Sequence, residues 1–166
     1  MEYLAAVGVA NLAQQAVTPL VERLAPHLDE SAWHEVILLT IGQLGIVQGR
    51  DAAAGDAIQA LIASEQGEPG RAIVIAGEAV ADAWPGGVTP ACQQAVIAAL
   101  VQTLRNDAKV APVVRADAGR ILARLGDPRP EVMTIEGMEF CILRIGASSP
   151  RISINLIPLR TIRVWV

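Results

Sequence analysis

The chain has 166 residues and a net charge of −4, long enough for one domain with a buried core. It is 52% hydrophobic but only 3% aromatic, and 28 residues are alanine, a composition of short, closely packed helices rather than of a β-sandwich. Residues 1–131 carry 15 acidic and 9 basic side chains, whereas 132–166 carry two and four, so the larger part lacks the clustered Lys and Arg of a phosphate-binding surface and no nucleic-acid partner is expected.

The first stretch, "MEYLAAVGVANLAQQ", is apolar but opens on Glu2 without a basic segment, which argues against a signal peptide, and predicts a helix near 3–15. Thr18-Pro19 and Thr89-Pro90 each read as an N-cap hydroxyl followed by proline at the first helical position. They start helices near 18–28 and 89–105. Asp29 or Ser31 is placed to cap a helix over 31–47, and Asp51 one over 51–65. A further helix is expected over 70–83, and the last over 112–125, stopped by Gly126 with Pro128 and Pro130 behind it. Ala54, Ala57, Ile58, Leu61 and Ile62 fall on one helical face, as do Val96, Ile97, Leu100, Val101 and Leu104, and again Val114, Ala118, Ile121, Leu122 and Leu125. The uncharged run from Ala83 to Leu104 is broken by "WPGGVTP", so no membrane span is expected.

About seven helices joined by short Gly, Pro, Asp and Asn-containing turns predict antiparallel pairs. Stacked, such pairs make an α-solenoid of the HEAT or armadillo kind; a closed helical bundle is the alternative. After Pro130 the apolar period shortens to two around Glu136-Gly137, which predicts a β-hairpin over "EVMTIEG" and "MEFCIL". The expected organisation is therefore a helical-repeat domain over 1–127, a junction over 128–143 and a tail over 144–166, broken by Pro150 and Pro158.

Catalytic motifs are missing where they can be checked. The only lysine is Lys109, in "RNDAKVAP", so no Walker A phosphate loop can form. His34-Glu35 opens like a zincin motif, but Leu38 stands where the second histidine belongs, and "GASSP" has no histidine after it to complete an ordered triad. Cys92 and Cys141 have neither metal nor redox spacing, which makes a reducing, cytoplasmic setting the default; Cys92, in the first turn of a helix with no basic neighbour, reads as a packing residue. No cofactor and no metal are expected. Trp33 and Trp84 at helix ends, and Arg115, Arg120 and Arg124 along one helix, remain as candidates for contact with a protein or ligand, against the simpler readings of gap-filling rings and a solvated charged face.

"VVRADAGRILARLGDPR" resembles the last helix of a HEAT-like repeat, and "GDPRPEVMTIEGMEFC" resembles the junction that opens a formylglycine-generating-enzyme (sulfatase-modifying factor) domain. "SAWHEVILLTIGQLG" looks like the Trp-x-Glu-Val helix of repeats that follow NACHT-type signalling NTPase modules, many of them bacterial. The resemblance spans Leu20 to Cys141 and implies a helical linker between those two modules. Beyond Cys141 the sequence departs from the family, which would continue through Pro-Gly and Met-Gly-Ser segments; no histidine and no further cysteine follow, so neither the family's copper-binding cysteine pair nor a histidine-based iron site can be carried over. The expectation is a non-enzymatic scaffold, truncated inside the enzyme-like domain, that contacts a protein partner or neighbouring domains and can self-associate through exposed solenoid ends. An enzyme fragment active only when complemented, or a small-ligand pocket between helices around Trp33 and Trp84, are the alternatives.

Overall fold

A computed structural model describes residues 1–135 of the chain, the side chain of Met133 excepted. The described residues fall into two units, Met1–Gly126 and a second that starts at Asp127.

The first unit is helical throughout: α1 (Glu2–Ala10), α2 (Thr18–Leu24), α3 (Ser31–Gly42), α4 (Asp51–Ala63), α5 (Arg71–Ala83), α6 (Pro90–Arg105) and α7 (Pro112–Leu125). Short 3-10 turns prolong α1 over Asn11–Gln14 and α2 over Ala25–His27, and a π turn prolongs α3 over Gln43–Val47. With these extensions the seven helices follow the apolar periodicity of the sequence closely. No helix among the described residues is long and apolar enough to cross a membrane.

The helices pack in two layers. α1 lies on α3, α3 on α5 and α5 on α7, while α2 lies on α4 and α4 on α6; α5 and α7 both bear on α6. Between the layers runs one apolar core in which Leu20, Leu24, Leu28, Ile37, Ile41, Leu44, Ile58, Ile75, Leu100 and Leu122 are fully buried. The three predicted stripes face it: Ala54, Ala57, Ile58 and Leu61, then Val96, Leu100 and Val101, then Val114, Ala118, Ile121 and Leu122. Burial of a Leu or Ile side chain is worth about 1.5–3 kcal/mol, which outweighs the modest intrinsic preference of Ala-rich segments for helix. Two buried threonines leave no polar cost, since Thr40 Oγ1 donates to the Val36 carbonyl at 2.6 Å and Thr103 Oγ1 to the Ala99 carbonyl at 2.9 Å.

Successive helices of the α3–α5–α7 layer run in the same direction. His34 lies by Glu78, and beyond the helix ends Gly45 meets Gly87; Arg71 lies by Asp117 and Asp82 by Arg124. The connections stack accordingly. Arg50 Nη2, after the π turn, donates to the Ala13 carbonyl at 2.7 Å, and at the opposite pole the Asp29 carboxylate accepts the Glu68 N–H at 3.0 Å. Gly45 makes one of these approaches possible, and Gly70 lets the start of α5 come close to α6 and α7. A methyl on Gly45 would collide with the Gly87 carbonyl, and Gly70, at φ +86°, would set one 3.1 Å from Thr103 and Val114 side-chain carbons.

Three local expectations change. Only Thr89 caps its helix, its hydroxyl accepting the Cys92 N–H at 3.2 Å. Val17 is already helical, at φ −78° and ψ −17°, so Thr18 falls inside the first turn of α2 and its hydroxyl caps nothing. Neither α3 nor α4 has a side-chain cap: Asp29 is committed to Glu68, and Ser31 and Asp51 sit one residue inside their helices. Gly126 does end α7, at φ +92°.

In the second unit, the first arm of the expected hairpin begins as a helical turn, α8 (Pro130–Met133). Proline's fixed φ and missing N–H suit a first helical position, and the Thr134 N–H returns to the Pro130 carbonyl at 3.2 Å, so local turn chemistry overrides the alternation of "EVMTI". The remainder of the hairpin and the tail lie outside the described residues. Just before this turn, the hydrogen bonds from the Arg129 side chain hold the Asp127 carboxyl below its usual pKa.

Candidate functional site

A cleft of about 270 Å³ opens across α3, α5 and α7, lined by Ser31 and His34, by Arg71, Val74 and Glu78, and by Asp117 and Arg120. Helical spacing puts each group on one face: Ser31 and His34 are three apart on α3, Arg71, Val74 and Glu78 follow at three and four on α5, and Asp117 and Arg120 are three apart on α7.

Its charges are paired across helices. Asp117 contacts Arg120 on its own helix, and its other oxygen lies 3.9 Å from Arg71 Nη1 on α5. His34 Nε2 lies 2.9 Å from Glu78 Oε2, a close approach without an aimed hydrogen bond, since Glu78 Oε2 and His34 Nδ1 are both buried without a hydrogen-bond partner among the described residues. Further along the same seam, Arg124 Nη2 donates to Asp82 Oδ1 at 2.7 Å. Donors and acceptors thus alternate along one face, while the two basic and two acidic side chains in the cleft leave it little net field. The imidazole's neighbour is Glu78, and no hydrogen bond joins it to Ser31 among the described residues.

The expected contact residues separate. Arg120 lines the cleft, and Arg124 belongs to the same α5–α7 seam. Trp84, half-exposed at the end of α5, stands beside the α5–α6 turn, where Gly87 abuts Ile46; Ile46 and Val47 are exposed as well. Trp33 lies elsewhere: its ring stacks on His27 with centroids 4.0 Å apart and planes within 4°, and the Arg23 guanidinium lies 5.0 Å from its centre. Neither tryptophan lines this cleft. Arg115 is partly buried, with its Nε unpartnered among the described residues.

Sequence reasoning passed over His34, Arg71, Glu78 and Asp117 as members of a site. Their one legible signal is opposite charge at a recurring separation, from 42 residues for Asp82 and Arg124 to 46 for Arg71 and Asp117.

A second cleft, of about 290 Å³, lies between α4 and α6 and is lined by Ala52, Gly55, Asp56, Gln59, Thr89, Ala91, Cys92 and Ala95. Cys92 is buried there, within 3.9 Å of Gln59 Nε2 and of the Gly55 carbonyl. Burial raises its pKa, which the Gln59 hydrogen bond opposes and the Asp56 carboxylate reinforces, so this thiol is kept protonated as a packing group is. Among the described residues no three His, Cys, Asp or Glu side chains converge as metal ligands would.

No family model, curated protein or solved structure matches the chain.

Proposed function

We propose that the chain is a non-enzymatic helical-repeat scaffold, an α-solenoid of the HEAT or armadillo kind, that holds a protein partner or neighbouring domains of a parent protein on the face formed by α3, α5 and α7. One observation carries the reading. Helices of that layer run parallel, and residues in contact across it recur at separations of 42 to 46. Parallel neighbours require the chain to return through the other layer between them, whereas an up-and-down bundle sets neighbouring helices antiparallel. HEAT and armadillo units have a period of about 40–47 residues. The cleft with alternating donors and acceptors supports docking on that face, and the half-exposed Trp84 at the end of α5 supplies an apolar anchor of the type enriched in interface hot spots. The resemblance of "GDPRPEVMTIEGMEFC" to the start of a sulfatase-modifying-factor domain supports a linker role, with that domain or a NACHT-type NTPase module as the natural neighbour.

Calorimetric titration against the purified domains encoded beside this chain tests the proposal. Saturable binding is expected, weakened at least about tenfold by Arg120→Glu with Asp117→Arg and left unchanged by Gln94→Arg on the exposed side of α6. Binding that Gln94→Arg reduces as much, or no binding to any neighbouring domain, would contradict it.

A further inference from the structure

We infer that the cleft across α3, α5 and α7 takes up an acidic side chain, an Asp or Glu of the docking partner, which Arg71 binds. The inference rests on the docking proposed above and names what the partner must carry. Two cations line the cleft, and they differ. Arg120 is held by Asp117 on its own helix. Arg71 makes no side-chain hydrogen bond among the described residues: the one carboxylate oxygen near it, Asp117 Oδ2, stands 3.9 Å from Nη1, too far to accept one. Its side chain is only 26% exposed, against 78% for Arg120, so the guanidinium is held between helices. Its nitrogens still reach the cleft, whereas Arg115 Nε is sealed off. A guanidinium offers five N–H donors in a fixed planar fork, and here the fork is vacant.

The surroundings favour an anion at that end of the cleft. Arg71 is the first residue of α5 and Ser31 the first of α3, and the two helices run parallel, so both positive ends lie on the same side. Neither helix has a side-chain cap to answer its first N–H groups, and the Ser31 hydroxyl has no hydrogen-bond partner among the described residues.

The lining decides which anion. Glu78 and Asp117 share the cleft, and their charges oppose a phosphate dianion more strongly than a single carboxylate, which also matches the guanidinium fork with both its oxygens. It decides the source as well. Val74 is the one wholly apolar side chain in the lining, and the volume is about 270 Å³, whereas pockets for small organic ligands are mostly apolar and span about 300–1,000 Å³. A polar cleft of this size suits the end of a side chain presented by a docked protein.

Acetyl-aspartate amide, a blocked form of that side chain, is titrated into the isotope-labelled full chain by NMR at about 10 mM salt, with acetyl-asparagine amide as the uncharged control. Saturable shifts of the Ala32 and Ala72 N–H signals are expected, with a dissociation constant on the order of 1–10 mM and at least about tenfold weaker binding of the asparagine form. Arg71→Lys keeps the charge but loses the fork and should weaken binding at least about fivefold, with helix content and thermal midpoint unchanged. Asp117→Asn removes the acid that competes for Arg71 and should tighten binding at least about twofold. Lys109→Gln, which removes an exposed cation from the α6–α7 turn, should change nothing. No saturable shift up to about 100 mM probe, equal binding of the asparagine form, or parental binding by Arg71→Lys would overturn the inference. Because the chain is titrated alone, that failure leaves docking on this face to the calorimetric test. A probe that binds while calorimetry finds no neighbouring domain would instead overturn the docking reading, and with it the partner as the source of the carboxylate.

Discussion

The two layers hold their helices in register by different means. On the α3–α5–α7 side, charged groups reach across from helix to helix: His34 to Glu78, Arg71 to Asp117, Asp82 to Arg124. On the α4–α6 side the contact is made by small groups, with Gly55 set against Cys92 and alanines lining the cleft between them. A contact between small residues fixes distance but leaves little for a partner to recognise. A row of paired charges costs desolvation and adds little to stability, yet it presents direction and sign to whatever docks on it.

Glycine substitutions are expected to give the largest contrast between the layers. In Gly45→Ala the new methyl meets the Gly87 backbone, which cannot turn aside as a flexible side chain can, so a loss of about 1–3 kcal/mol is expected in urea unfolding. In Gly55→Ala the methyl meets Cys92 Cβ at an ordinary 3.4 Å, and the better helix former is expected to leave stability unchanged or raise it by up to about 1 kcal/mol. Equal losses in the two variants would mean that the close approach at Gly45 does not hold.

The paired threonines give a smaller effect. Thr89→Ala removes the acceptor for the Cys92 N–H at the start of α6 and should cost about 1 kcal/mol, whereas Thr18→Ala should stay within about 0.5 kcal/mol. The triplets "VTP" are identical in sequence. What separates them is where the helix begins: Thr89 is itself the extended residue before its helix, with φ −72° and ψ 148°, whereas Val17, ahead of Thr18, is already helical. No residue-by-residue reading can see that difference.

Smallest of all are the charge pairs. Asp117→Asn, which strips Arg71 of a partner at a largely buried position, is expected to cost about 0.5–1 kcal/mol, and Asp82→Asn, between half-exposed groups, less than about 0.5 kcal/mol. Both losses should shrink as salt is raised, and guanidinium chloride, itself a salt, is the wrong denaturant for the measurement. A larger loss in Asp82→Asn would invert the ranking that burial assigns.

Helix positions were legible because each apolar stripe is buried for a reason the period reveals: Ile58, Leu100 and Leu122 recur where one face must be apolar. The ends were legible where proline or glycine forced them, as at Pro90 and Gly126. The site was not. His34 has no partner in its own helix, where Leu38 stands in place of a second histidine, and its neighbour Glu78 is brought beside it by the return of the chain through α4. The same holds for Asp29, which by local rules is a cap for α3 and in the fold is instead the acceptor for a distant N–H. Only the apolar character recurs from helix to helix, while the charged partners change, so the paired charges leave no pattern along the sequence.

The direction of the helices within one layer is the claim on which the scaffold reading rests, and distances between spin labels measure it directly. In a background with Cys92→Ala and Cys141→Ser, labels on α5 and α7 report which ends lie together. Parallel stacking predicts that position 82 is nearer to 124 than to 115, and that 71 is nearer to 117 than to 124. The reverse order in both pairs would set α5 and α7 antiparallel, as in a closed bundle, and the repeat-scaffold proposal would fall with it.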